Sequence, residues 1–157
     1  MVWSTDIEDA TIKNRFWRKV VHTSKNLQVV LMSVPPRQEL GWEKHGRPKP
    51  TDQFFRVERG RGVLQVGREK GRIDEEVDLD DGVAVVVAGG TWHNVINESS
   101  RRRLNFYTIY APPHHPSDRI DKTKSDELWR ERREKSRRKK SRRKSGRKSK
   151  SSRKPRK

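Results

Sequence analysis

The sequence predicts an all-β domain, a sandwich or small barrel of short strands, followed by a short helix and a disordered basic tail. Three observations carry this. Between residues 15 and 113 lie several short runs rich in Val, Ile, Phe and Tyr, and none of that stretch sustains a helical period. Gly, Pro, Asn and Asp punctuate the gaps, which is how tight turns are encoded. The charge is segregated as well. Residues 130–157 hold 18 basic and two acidic side chains, a net +16 of the chain's +18, and no apolar residue. The 29% apolar content therefore falls wholly within the first 129 residues, whose net charge is +2.

Taken in order, strands are expected at 27–34 (LQVVLMSV), 53–58 (QFFRVE), 62–66 (GVLQV), 83–87 (VAVVV) and 103–110 (RLNFYTIY), with a further one starting at Trp92. The run 83–87 is apolar throughout and is expected to be buried on both faces or to lie inside a barrel. Many short strands joined by tight turns point to a closed β architecture rather than a βαβ sheet. Residues 121–135 (DKTKSDELWRERREK) read as a short helix with Ser125 as N-cap and only Leu128 and Trp129 as apolar anchors. Beyond Ser136 like charges repel and nothing can be buried, so that part is expected to be disordered when free. The expected division is an N-terminal extension with the first strands at 1–26, the barrel at 27–115, a linker and short helix at 116–135, and the basic tail at 136–157.

Several classes are excluded. No run of about 18 apolar residues is present to span a membrane. The absence of cysteine rules out disulfides, thiolate zinc sites and a Cys nucleophile. The N-terminal residues lack a charged-then-apolar leader pattern, which points to an intracellular protein. There is no Ser-His-Asp order and no phosphate-cradling glycine loop.

The most informative stretch is 81–97, DGVAVVVAGGTWHNVIN. Asp81-Gly82 turns into the apolar run, and Ala88-Gly89-Gly90 makes a second tight turn where glycine permits positive φ. His93 follows at the start of the next strand, and an inward register would place it in a barrel mouth. Gly82, five residues, Ala88-Gly89-Gly90, two residues, His93, three residues and Asn97 together resemble the second motif of the cupin family. Ala88 stands where the family has proline. The family's first motif is matched in part by Glu43-Lys44-His45 and by Gln53, six residues, Gly60. Glu43 stands in the place of its first histidine and Gln53 in the place of its glutamate. Seven residues separate His45 from Gln53, a longer gap than is usual.

The resemblance covers roughly 27–113 and implies a double-stranded β-helix, or jelly-roll, barrel. It also implies a divalent metal, Fe, Mn, Ni or Zn, held by Glu43, His45, Gln53 and His93. Gln53 offers a neutral amide oxygen in place of a carboxylate, which removes one negative charge unless Glu43 restores it. The alternative is that His45 and His93 are mouth residues with ordinary hydrogen bonds and no metal. A small-molecule ligand in the barrel and a homodimer paired through outer strands are further implications. Cupins span many reactions and non-catalytic binders, so the fold does not name one. One reading is a metal-dependent activity on a sugar or organic acid; the other is a non-catalytic scaffold or binder.

Among the remaining histidines, His22 reads as structural or exposed, and His114-His115 in APPHHP as a solvated, proline-rich exit from the last strand. Arg101 to Arg103 read as a solvated bend. In the tail, Arg137, Arg138, Lys139, Lys140, Arg142, Arg143, Lys144, Arg147 and Lys148 are interleaved with serine. They are the candidate contacts to nucleic acid or another polyanion, through sequence-insensitive, salt-dependent charge neutralisation. The run RRKK also fits a nuclear import signal, and a nuclear or virion-associated setting is compatible with it. Phosphorylation at Ser136, Ser141 or Ser145 would subtract charge from the same surface. A solubilising tail without a dedicated partner is the competing reading.

Overall fold

The computed structural model describes residues 2–46 and 50–151, with side-chain surroundings in the last helix given up to 137 and at 139. The chain divides into two units, Met1–Lys122 and Thr123–Lys157. In the first, a short helix α1 (Ile7–Lys13) precedes nine strands: β1 (Arg18–Thr23), β2 (Gln28–Val34), β3 (Asp52–Arg59), β4 (Gly62–Gly67), β5 (Glu75–Leu79), β6 (Ala84–Val87), β7 (Trp92–Ile96), β8 (Leu104–Ala111) and β9 (Ile120–Asp121). They form a six-stranded sheet in the order β6-β3-β8-β2-β1-β9 and a three-stranded sheet in the order β5-β4-β7. Every pairing is antiparallel. The fold is thus all-β, as expected, and has the two-sheet jelly-roll form.

The alternation of side chains along each strand decides what is buried. Phe55 and Val57 of β3, Phe106 and Tyr110 of β8, and Val30 and Met32 of β2 face inward from the larger sheet. Leu64, Leu79 and Val95 meet them from the smaller one, and Trp17 closes the cluster at 1% exposure. At the N-terminus Asp6 caps α1 by accepting from Asp9 N (3.0 Å). The buried Asn105 of β8 donates to the carbonyls of Thr11 (2.9 Å) and Asn14 (2.8 Å), so the end of α1 is fastened to the large sheet.

Two expectations are corrected. The apolar run at 83–87 is not covered on both sides: β6 is the outermost strand of its sheet, and Val86 is 68% exposed. The last helix, α2 (Lys124–Ser151), starts behind Thr123 rather than Ser125. Thr123 Oγ1 accepts from Asp126 N (3.3 Å) while Asp126 Oδ2 accepts from Thr123 N (2.9 Å), a reciprocal cap that Ser125 has no partner to match. Its helical backbone runs to Ser151. Within it Arg133 lies over the Trp129 ring (4.4 Å) and Lys135 pairs with Glu131 (3.6 Å). Of the candidate polyanion contacts, Arg137 and Lys139 are exposed. The side chains of Arg138, Lys140, Arg142, Arg143, Lys144, Arg147 and Lys148 lie outside the described residues, as does everything from 152 onward.

Candidate metal centre

The turn after β6 builds the site. Thr91 N donates to the Ala88 carbonyl (3.2 Å), and Gly90 takes φ +89°, a left-handed conformation that suits glycine. Gly89 is needed for space instead: a Cβ there would lie 2.7 Å from Pro50 Cβ and from Thr51 N. The glycines at 89 and 90 thus keep the turn tight although Ala88 replaces the family's proline. The turn also grips the neighbouring segment, because Gly90 N donates to the His45 carbonyl (3.2 Å) and Gly89 N to Asp52 Oδ1 (2.8 Å).

β7 then opens at Trp92, and its second residue, His93, points inward at 1% exposure. Directly across from it, Glu43 forms an isolated antiparallel bridge, with Glu43 N donating to His93 O (2.9 Å) and His93 N to Glu43 O (3.0 Å). Opposed residues of such a pair put their side chains on one face, and a residue two positions along returns to that face. The bridge therefore aligns Glu43 with His93, and the one-residue spacing brings His45 beside them. Glu43 Oε1 lies 3.4 Å from His93 Nε2 and 3.5 Å from His45 Nε2. The three donor atoms all fall within 4.8 Å of one another. Gln53, the first inward residue of β3, completes the group with Oε1 3.0 Å from His93 Nε2. The four residues named from the sequence are thus together, despite the long gap between His45 and Gln53.

The hydrogen bonds around the cluster orient it. His93 Nδ1 donates to the Thr91 carbonyl (3.1 Å), so its Nε2 turns toward Glu43 and Gln53. Gln53 Nε2 donates to the Tyr110 hydroxyl (2.9 Å), which aims the amide oxygen into the site. Burial pushes the Tyr110 hydroxyl well above its usual pKa, so it keeps its proton. Burial also pushes the Glu43 carboxyl up, but contacts to His45 and His93, with Arg18 behind them, outweigh it and hold the pKa well below the usual value. Glu43 is therefore an anion, and its 25% side-chain exposure leaves the cluster open to solvent on that side.

His115 is clamped and partly buried rather than solvated, while His114 beside it is exposed, as expected. Gln28, fully buried in β2, accepts from His115 N (2.9 Å) and donates to the His115 carbonyl (2.8 Å), clamping the segment against the barrel. That places His114 Nε2 3.1 Å from His45 Nδ1, with one ring face stacked on Tyr110 and the other side toward solvent. A polar residue inside the apolar run of β2 was the sequence signal for this clamp. His22, by contrast, stacks on Trp3 (4.9 Å), away from the cluster.

A pH dependence follows from His115. Arg119 donates to His115 Nδ1 (3.2 Å), so the folded protein needs the ring neutral. Burial first, then Arg18 and Arg119, hold its pKa well below 6.5. The unfolded chain takes up this proton near pH 6.5 and the folded chain does not. Stability is therefore full above that pH and falls below it, by at most about 1.4 kcal/mol per unit for one such group. Urea unfolding of the metal-free protein between pH 8 and 5 checks this, and His115→Gln is expected to flatten the profile. An equal slope in that variant would count against the assignment.

A family model described as a cupin domain matches residues 30–110. The uncharacterized protein YrkC of Bacillus subtilis (strain 168) is 40% identical over 123 residues, 78% of this chain and 64% of its own length. The chain thus spans less than two thirds of that relative. The uncharacterized protein L612 of Acanthamoeba polyphaga mimivirus is 37% identical over 120 residues, 76% of this chain and 71% of that protein. The crystal structure of BH2720 from Bacillus halodurans is similar at 38% identity and a TM-score of 0.76, covering 82% of this chain and 94% of that one. TT1209 from Thermus thermophilus, at 23% identity and a TM-score of 0.57 over 69% and 96% of the two chains, is similar in fold alone.

Proposed function

This chain belongs to the cupin family, and on that premise we propose that its barrel mouth holds one divalent metal ion and acts on a small sugar or organic acid. The supporting observation is a pair of buried donors. Glu43 Oε1 and His45 Nε2 have no hydrogen-bond partner among the described residues, yet both face the space that His93 Nε2 faces. Buried polar atoms are rarely left so, and a cation there would satisfy both. The donor set fits: two imidazoles, one carboxylate and one amide oxygen suit Fe(II), Mn(II), Ni(II) or Zn(II). When bound, such an ion supplies Lewis-acid polarisation of a substrate oxygen and acidifies a bound water.

The chain's own residues divide the remaining work. Glu43 carries the negative charge that Gln53 lacks. His93 is oriented by the Thr91 carbonyl, and His45 by His114. Tyr110 keeps its proton and holds the Gln53 amide. The test is elemental analysis of the purified full-length chain beside His45→Ala/His93→Ala. Near-stoichiometric iron, manganese, nickel or zinc in the wild type, lost in the variant, is expected. No metal in the wild type after reconstitution would overturn the reading.

The exposed cations of α2 favour an alternative reading, in which the tail binds a polyanion and the barrel serves as a non-catalytic scaffold or binder. Deleting 130–157 would then remove the cellular role, while His93→Ala would leave it intact.

A further inference from the structure

β3 carries Gln53 at the mouth and ends at Arg59, and β7 carries His93 and ends at Ile96, so the turns that follow them lie at the far end of the barrel. This end carries arginine and no lysine: Arg59 at the end of β3, Arg61 before β4, Arg101 and Arg102 before β8, and Arg37 after β2. Backbone bonds draw the segments together. Arg37 N donates to the Ser99 carbonyl (3.0 Å), and Arg101 N (3.2 Å) and Arg102 N (2.9 Å) both donate to Ser99 Oγ. A cleft of about 450 Å³ opens between Arg59, Arg61, Arg102, Ser99, Asp80 and Asp81. Gly60 forms bare backbone there, since a Cβ would lie 2.5 Å from the Arg103 carbonyl.

The carboxylates nearby do not cancel the arginines. Asp80 is engaged by Arg61 (2.9 Å), and Asp81 accepts from Gly60 N (2.7 Å). Asp78 and Glu98 also act on Arg61. Five arginines thus face four carboxylates, and Arg37, Arg59, Arg101 and Arg102 have no carboxylate partner among the described residues. All five arginines are exposed. We propose that this end of the barrel binds the phosphate backbone of a nucleic-acid strand, independently of the basic tail and of any metal. Guanidinium forks suit phosphate oxygens. The local amides of Gly60, Arg101 and Arg102 are already taken by protein acceptors, so no backbone cradle encloses a single phosphate. What remains is a spread of side-chain cations, which matches successive phosphates along a strand.

The test uses the full-length chain, so that the tail contributes equally to every measurement. Anisotropy of a labelled mixed-sequence single-stranded oligonucleotide is followed from 50 to 200 mM salt for wild type and Arg59→Ala/Arg101→Ala/Arg102→Ala. Each lost contact removes about 0.7 from the slope of log K against log salt, so a slope shallower by about 2 and at least tenfold weaker binding at low salt are expected. Arg59→Lys/Arg101→Lys/Arg102→Lys keeps the charge and is expected to keep the slope. Should the alanine variant fold poorly, Arg59→Gln/Arg102→Gln gives the same reading, with a change of about 1.4. Unchanged slope and affinity would assign all binding to the tail and overturn the proposal. Mononucleotide binding as tight as the oligonucleotide's would overturn it in favour of a small phosphorylated ligand.

Discussion

Replacing Asn97 with alanine is expected to cost about 3–5 kcal/mol of folding stability, among the largest effects of any single change outside the apolar core. Asn97 is fully buried and its side chain makes three bonds. Nδ2 donates to the carbonyls of Val34 (2.9 Å) and Arg102 (2.9 Å), and Oδ1 accepts from Ser99 N (3.0 Å). The residue ties the end of β2 to the turn that leads into β8. Alanine leaves two carbonyls and one amide without that partner, and each buried unsatisfied group costs about 1–3 kcal/mol. The melting temperature is expected to drop by roughly 10–20 °C in a domain of this size. A loss below about 1 kcal/mol would mean that water or a shift of the turn replaces the bonds.

The second large effect is a gain. Gln53→Glu is expected to tighten metal binding by about ten- to a hundredfold, the range over which one side chain near a metal moves affinity. It puts a second carboxylate beside Glu43, so a divalent cation gains a charged donor in place of a neutral one. Tyr110 accommodates the change, because its hydroxyl can donate where it now accepts from Gln53 Nε2 (2.9 Å). Without metal, the two carboxylates repel across the His93 ring, so the metal-free variant is expected to melt below wild type. Competition with a chelator measures the first effect and melting curves with and without metal the second. Unchanged or weaker metal affinity would show that Gln53 does not take part in holding the ion.

The residues that were legible in the sequence are those whose local chemistry is strict. The turns at 81–82 and 88–90 fix the entry to β6 and β7, and they place His93 without help from distant residues. β2, β3, β4 and β8 announce themselves through runs of Val, Ile, Phe and Tyr. β5 does not, because its sequence, EEVDL, is mostly exposed and offers only Val77 and Leu79 to the core. α1 is only seven residues long, and of these only Thr11 is buried. The Glu43 and His45 positions were legible by resemblance, but their alignment with His93 depends on a bridge between residues 50 apart in sequence. His114 was missed for the same reason: only the Gln28 clamp brings it to His45.

That bridge also does something for the sheet it joins. β7 has one strand neighbour, β4, and on its other side the segment around 38–43 supplies the partners. Leu40 N donates to Val95 O (2.9 Å), Asn97 N to Gln38 O (2.8 Å), and Asn94 binds Glu39 (2.7 Å) and Gly41 N (2.8 Å) through its side chain. Left uncovered, an edge with this Val- and Ile-bearing strand would template pairing with another chain. The segment that presents Glu43 and leads to His45 is therefore also a guard against aggregation. Sequence change there is constrained twice over, and a loosened segment would show itself as self-association as well as lost ligands.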